Sequence, residues 1–124
     1  MILVDTSVWI RFFANKEPHR SGLDRLLAKG EVLGHEFVIG ELLMGDRGGR
    51  SKLLAAYSLM QQARCVPHEE VFKLVQTRRF HGRGVGWIDI HLLASAVLER
   101  ASLWTADPRL AQLASEMHSS YGQI

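Results

Sequence analysis

Short apolar runs and helical stripes alternate along the chain. It opens on "MILV", an unbroken apolar run of strand length, then passes through Asp5, Thr6 and Ser7, all residues favoured at helix N-termini, into "VWIRFF". That reads as strand, turn, helix. "HRSGLDRLLAKG" puts Leu23, Leu26 and Leu27 on one helical face and stops at Gly30, and "EVLG" is a brief second strand. "EFVIGELLM", Glu36 to Met44, has apolar positions at helical spacing, and the glycines of "GDRGG" end it. A helix over 50–62 leads to "ARCV", a third short strand closed by Pro67. "HEEVFKLVQTRRFH" is a helix with Glu69 and Glu70 favouring its N-terminus; "IDIHLLASAVLER" is a strongly apolar one. "ASLWTA" is a fourth strand, "DPRLAQLASEM" a helix with Asp107 in a capping position and Pro108 at its start, and "SSYGQI" a fifth, edge strand. Strands alternating with helices predict an α/β fold with a parallel sheet of about four to five strands covered on both faces.

Composition narrows the class. The 124 residues suffice for one domain, 1–124, with a core of its own, and 47% hydrophobic against 23% charged residues is ordinary for a globular protein. No apolar run is long enough to span a bilayer and the first thirty residues lack signal-peptide order, so a cytoplasmic protein is expected. Cys65 is the only cysteine, which excludes an internal disulfide and a multi-thiolate zinc site; a buried, inert thiol is expected. Net charge is +2, unevenly placed: from Arg47 to Arg83 eight basic residues face Glu69 and Glu70, a local +6 that leaves −4 elsewhere. An acidic site beside a polyanion-binding surface has that asymmetry, as does a solvated helix face with spare arginines.

Four carboxylates stand in apolar settings. Asp5 and Asp107 follow the first and fourth strands, at the sheet edge where parallel α/β folds gather functional groups. Glu41 in "FVIGELLMG" and Asp89 in "GVGWIDIHLLASA" interrupt helical stripes, with Gly45 and Leu93, not cations, four residues on. Helix capping explains Asp5, Asp107 or Asp89 taken singly. Taken together, converging carboxylates repel unless some protonate or a hard divalent cation such as magnesium or manganese joins them. Such a site suits phosphoester hydrolysis. Thr6, Ser7 and Thr105 lie where hydroxyls orient a carboxylate or merely form caps and turns.

In these stretches, "ILVDTSVWI", "EFVIGELLMG", "GVGWIDIHLLASA" and "LWTADPRL", the chain resembles PIN-domain ribonucleases, specifically VapC-type toxins of bacterial type II toxin–antitoxin pairs. The resemblance runs from end to end. It implies an α/β/α sandwich and a Mg2+ or Mn2+ site formed by Asp5, Glu41, Asp89 and Asp107, with Asp5 and Asp89 nearest the metal and Thr6 and Thr105 in support. It also implies endonucleolytic RNA hydrolysis by an activated water, leaving 5′-phosphate and 3′-hydroxyl ends. The partners implied are a second copy in a homodimer and a VapB-type antitoxin in a hetero-oligomer, its C-terminal segment covering the site. "EFVIGELLMG" and the 50–62 helix offer apolar surface for it, although core packing explains the same residues. Trp9 and Phe13 are expected in the core or an interface.

The remaining signals are weaker. "GDRGG" and "HGRGVG" lack the lysine-hydroxyl ending of a P-loop and read as flexible loops, whose Arg47, Arg50 and Arg83 are candidates for RNA phosphates. The six histidines show no zinc spacing, and His91, two residues after Asp89, lies on another side of its helix. An aspartyl phosphohydrolase of the haloacid dehalogenase kind needs a second aspartate where Ser7 stands and a lysine that "WTADPRL" lacks. A catalytically silent PIN-like module binding RNA or a partner is the rival of another class, and the intact quartet argues against it. Which RNA is cut stays open, since RNA recognition rests largely on shape and unpaired bases.

Overall fold

The computed structural model describes residues 1–122. Its elements run β1 (Ile2–Val4), α1 (Thr6–Phe13), α2 (His19–Ala28), β2 (Val32–Leu33), α3 (Glu36–Met44), α4 (Ser51–Ser58), α5 (His68–Arg78), α6 (Trp87–Leu98), β3 (Ser102–Trp104) and α7 (Pro108–Glu116). The sheet is parallel, ordered β2-β1-β3, with Leu3 beside Leu33 on one side and Leu103 on the other. β1 is therefore central, and its neighbours leave it in opposite sequence directions. The ends of β1 and β3 form a topological switch point, the place where such sheets bind ligands.

Contacts sort the helices into two groups, α1 with α2 and α3 and α3 with α4 in one, α6 with α5 and α7 in the other. Right-handed crossovers put these groups on opposite faces of the sheet. Trp9, buried as expected, meets Phe12 and Tyr57 edge-on, while α6 buries seven consecutive residues, Ile90 to Ala96, against β1 and β3. A helix enclosed on nearly all sides needs the all-round apolar sequence that α6 has.

Two expected strands shrink to single bridges. "ARCV" forms no strand: only Gln62 pairs, with Gly34, because the Arg64 N–H goes to the Glu99 carboxylate (2.8 Å) and the Arg64 carbonyl to the Ser95 hydroxyl (2.8 Å). Backbone groups satisfied by side chains are unavailable to a ladder. The preceding helix ends at Ser58 rather than continuing to Gln62, whose side-chain amide donates to the carbonyls of Tyr57 and Met60. "SSYGQI" likewise contributes one bridge, Ser120 to Leu103, and its last two residues lie outside the described ones. Cys65 is exposed, contrary to expectation, but its thiol donates to Glu36 Oε1 (3.1 Å), and desolvation with that carboxylate pushes its pKa up to about 11. It stays a protonated thiol near neutrality.

Gly22 shows how helix packing sets the switch point. A Cβ there would lie 2.9 Å from Cη2 of Trp104, the last residue of β3. Gly22→Ala gains up to about 1 kcal/mol in helix propensity but overpacks the site by about 1–3 kcal/mol. Net destabilisation is expected in urea unfolding; a variant more stable than the parent would contradict this packing.

Candidate active site

The Asp5 carboxylate is delivered by backbone pairing. Its N–H continues the β1–β3 ladder to Trp104 O (2.9 Å), and its carbonyl accepts from Val8 and Trp9 as α1 begins. The side chain makes no cap, although Asp5 occupies the N-cap position. Instead Oδ2 accepts hydrogen bonds from the hydroxyls of Ser7 (2.7 Å) and Thr105 (2.7 Å), with the residue only 4% exposed. A buried carboxylate is thus held by two neutral donors and, among the described residues, by no cation.

Thr105 ties the two strand ends together, since its Oγ1 also accepts from the Asp107 N–H (3.1 Å), and Ser7 Oγ accepts from the Ala106 N–H (3.0 Å). Asp107 does cap α7, its Oδ1 accepting from the Arg109 N–H (2.9 Å). Glu41, on α3, is reached from α1: Thr6 Oγ1 donates to Glu41 Oε1 (2.6 Å). Asp89 lies in the first turn of α6, where the Gly86 N–H donates to its carboxylate.

Electrostatics shows that the four acids share one region. Burial first, then the negative charges of Asp5, Glu41 and Asp107, push Asp89 up to about 6 against the Gly86 hydrogen bond. Like charge disfavours ionisation only at short range in a partly desolvated site. The ring is open: among the described residues, no three acidic, histidine or cysteine side chains close on one point at direct metal-ligating distance.

A model of the PIN domain matches residues 2–116. The chain belongs to the PIN-domain family. Ribonuclease VapC32 of two Mycobacterium tuberculosis strains is 41% identical over 117 residues, covering 94% of this chain and 92% of that protein, which makes this PIN domain one of the VapC kind. The crystal structure of PAE2754 from Pyrobaculum aerophilum overlays with a TM-score of 0.58 at 17% identity, covering 96% of each chain; that likeness concerns the fold.

Two residues of this PIN domain escaped the sequence reading. Among the described residues Arg109 is the cation that ion-pairs with the quartet, its Nε 3.5 Å from Asp107 Oδ1, and its guanidinium crosses Gly84 where a Cβ would sit 2.8 Å from Nη1. Gly84 has φ +80, so the "GRGVG" loop is shaped around that arginine. His35, fully buried, caps α3 by accepting from the Phe37 N–H (3.0 Å) and reaches Ser95 of α6 through Nε2 (3.0 Å). It thereby couples the helices carrying Glu41 and Asp89, and desolvation holds its pKa down, keeping it neutral. An N-cap position was the available signal for His35; Arg109 had none beyond following "DP".

The three candidate arginines differ in what they touch. Arg83 forks onto Glu116 (3.0 and 2.6 Å), Arg50 lies 4.3 Å from the Phe13 ring centroid, and Arg47 sits exposed in the turn after α3. His91 faces His68 (3.2 Å between ring nitrogens) and Phe37.

Proposed function

We propose that this PIN domain is a divalent-metal-dependent endoribonuclease, the toxin of a type II toxin–antitoxin pair. The observation that carries the reading is the ring of Asp5, Glu41, Asp89 and Asp107 at the switch point, with Asp89 pushed up to about 6 by burial and then by its neighbours' charge. Its likeness to a VapC ribonuclease names the polymer.

The donor set fits Mg2+ or Mn2+: hard carboxylate oxygens, a buried Asp5 held by two hydroxyls with no basic partner among the described residues, and excess negative charge. Asp5, Asp89, Glu41 and Asp107 would hold it. When bound, such an ion offsets the carboxylates, polarises a phosphodiester and activates water. The chain supplies positioning. Ser7 and Thr105 occupy Asp5 Oδ2, which accepts a hydrogen bond from each hydroxyl, and Oδ1 receives no side-chain hydrogen bond among the described residues. Thr6 holds Glu41 toward α1, and the α7 cap fixes Asp107. In the reaction water adds to phosphorus and the 3′ oxygen of the preceding nucleotide leaves with a proton, giving 5′-phosphate and 3′-hydroxyl ends.

The antitoxin reading rests on an apolar cavity of about 630 Å³ beside Glu41, lined by Phe37, Gly40, Leu43, Met44 and Ile88. Val38 and Leu42 of α3 are core, whereas Leu43 and Met44 are 55% and 89% exposed, the surface an amphipathic VapB-type segment takes. Homodimerisation and a toxin–antitoxin hetero-oligomer belong to the same reading. Among the described residues no helix is long and apolar enough to cross a membrane.

The test is incubation of purified protein with structured RNA in Mg2+, Mn2+ or EDTA, followed by end mapping. Internal cuts that need the metal and expose a 5′-phosphate are expected. RNA left intact at enzyme excess, or cuts ending in 2′,3′-cyclic phosphate, would overturn the reading.

A further inference from the structure

Along α1 lies a second hollow outside the acidic ring. A cavity of about 280 Å³ is lined by Ser7, Ile10, Arg11, Ala14 and Lys16. Ser7 belongs to both places, since its hydroxyl binds Asp5 on one side while its residue walls this cavity on the other. Arg11 follows Ser7 by four residues, so the two share a face one turn, about 6 Å, apart. That is the scale of a single nucleotide step along a strand.

Local structure brings the second cation in. α1 ends with Asn15 in the left-handed region (φ 56), the Asn15 N–H donates to Phe12 O (3.1 Å), and the Lys16 N–H reaches back to Arg11 O (2.9 Å). This pair of bonds is a Schellman stop, and it pins Lys16 beside Arg11. Both side chains belong to exposed residues, and neither has an ion pair among the described residues. The adjacent acid is engaged elsewhere: Glu17 accepts from the backbone N–H and the hydroxyl of Ser21. Arg20 is likewise committed, to Asp24, Asn15 and Phe12 O. Two uncommitted cations thus flank a small hollow that opens next to a nest of carboxylates.

We propose that this hollow seats a backbone phosphate of the RNA, the one adjacent to the phosphate undergoing hydrolysis, between Arg11 and Lys16. The acidic ring repels a polyanion, so binding needs positive charge just outside it. α1 supplies that charge at a fixed offset from Asp5. The seat is sequence-independent, because phosphate contacts set register and orientation without reading bases. It rests on the nuclease reading for its substrate, but its test does not depend on cleavage.

The experiment measures fluorescence anisotropy of a short labelled oligouridylate with Asp5→Asn protein, from about 50 to 200 mM salt. Each lost phosphate contact lowers the slope of log K against log salt by about 0.7 for a single strand. Adding Arg11→Ala and Lys16→Ala together removes the one phosphate contact the two cations share and is therefore expected to lower it by about 0.7, while Arg11→Lys retains the slope. An oligonucleotide with one neutral methylphosphonate beside the cleavable bond should bind more weakly to the Asp5→Asn protein, and equally to the variant lacking both cations. An unchanged slope in the doubly substituted protein, or no binding by Asp5→Asn protein at all, overturns the seat. If wild type leaves RNA intact while Arg11 and Lys16 still govern the slope, the nuclease reading falls and the seat stands. If wild type cuts RNA and the slope is unmoved, the reverse holds.

Discussion

Asp5→Asn is expected to lower the single-turnover rate of RNA cleavage by on the order of 10³-fold, the scale of losing a group that meets developing charge in a preorganised site. The fold should survive, because an amide oxygen at the same place still accepts the hydroxyls of Ser7 and Thr105 that now bond Oδ2. What disappears is the negative charge at the carboxyl end of the central strand. Far-ultraviolet circular dichroism and the unfolding midpoint should match wild type while cleavage collapses. Cleavage within about tenfold of wild type would remove Asp5 from the chemistry and leave it a structural acceptor.

Asp89→Asn is expected to make the metal-free protein more stable near neutral pH. In the folded state the Asp89 carboxyl titrates at about 6, against 3.8 for the ordinary group. The folded chain therefore keeps a proton that the unfolded chain has released, and stability falls as pH rises through that window, with the whole penalty present above about 6. A shift of this size corresponds to about 3 kcal/mol. Asp89 is only half-buried, so solvent screening reduces this to about 1–2 kcal/mol. Urea unfolding in EDTA from about pH 4 to 8 should show the stability of the variant over wild type growing with pH and reaching its full size above about 6. Adding Mg2+ or Mn2+ should stabilise wild type, by binding the folded state alone, far more than the variant. A variant no more stable than wild type in EDTA would mean that the acids do not press on one another.

The acids were legible because each breaks an apolar pattern, and patterns of that kind are local. Asp5 illustrates the boundary: its N-cap position was readable, but capping was a wrong use for its side chain, which Thr105, a hundred residues away, holds instead. Asp107, in an equivalent sequence position, does cap its helix. The difference lies in two hydroxyls, Ser7 nearby in sequence and Thr105 delivered by another strand, that both take Asp5 Oδ2. The helices α5, α6 and α7 were read nearly to their ends, their apolar spacing and terminal prolines or glycines being sufficient. "ARCV" failed as a strand because Glu99 and Ser95 take the backbone of Arg64, a tertiary choice invisible in four residues. Arg109, Arg11 and Lys16 became candidates only when charge could be placed in space.

The single bridges at Gly34–Gln62 and Leu103–Ser120 have a consequence for assembly. Among the described residues each flank of the sheet adds one pairing only, a short edge for an incoming strand. Association by strand addition is thereby discouraged, and contact with other chains passes to the helices. Leu43 and Met44 on α3, Leu59 after α4, Phe72 on α5 and Leu98 on α6 are where bulky apolar side chains meet solvent. On the antitoxin reading proposed above, that division sends recognition through side chains rather than through open backbone.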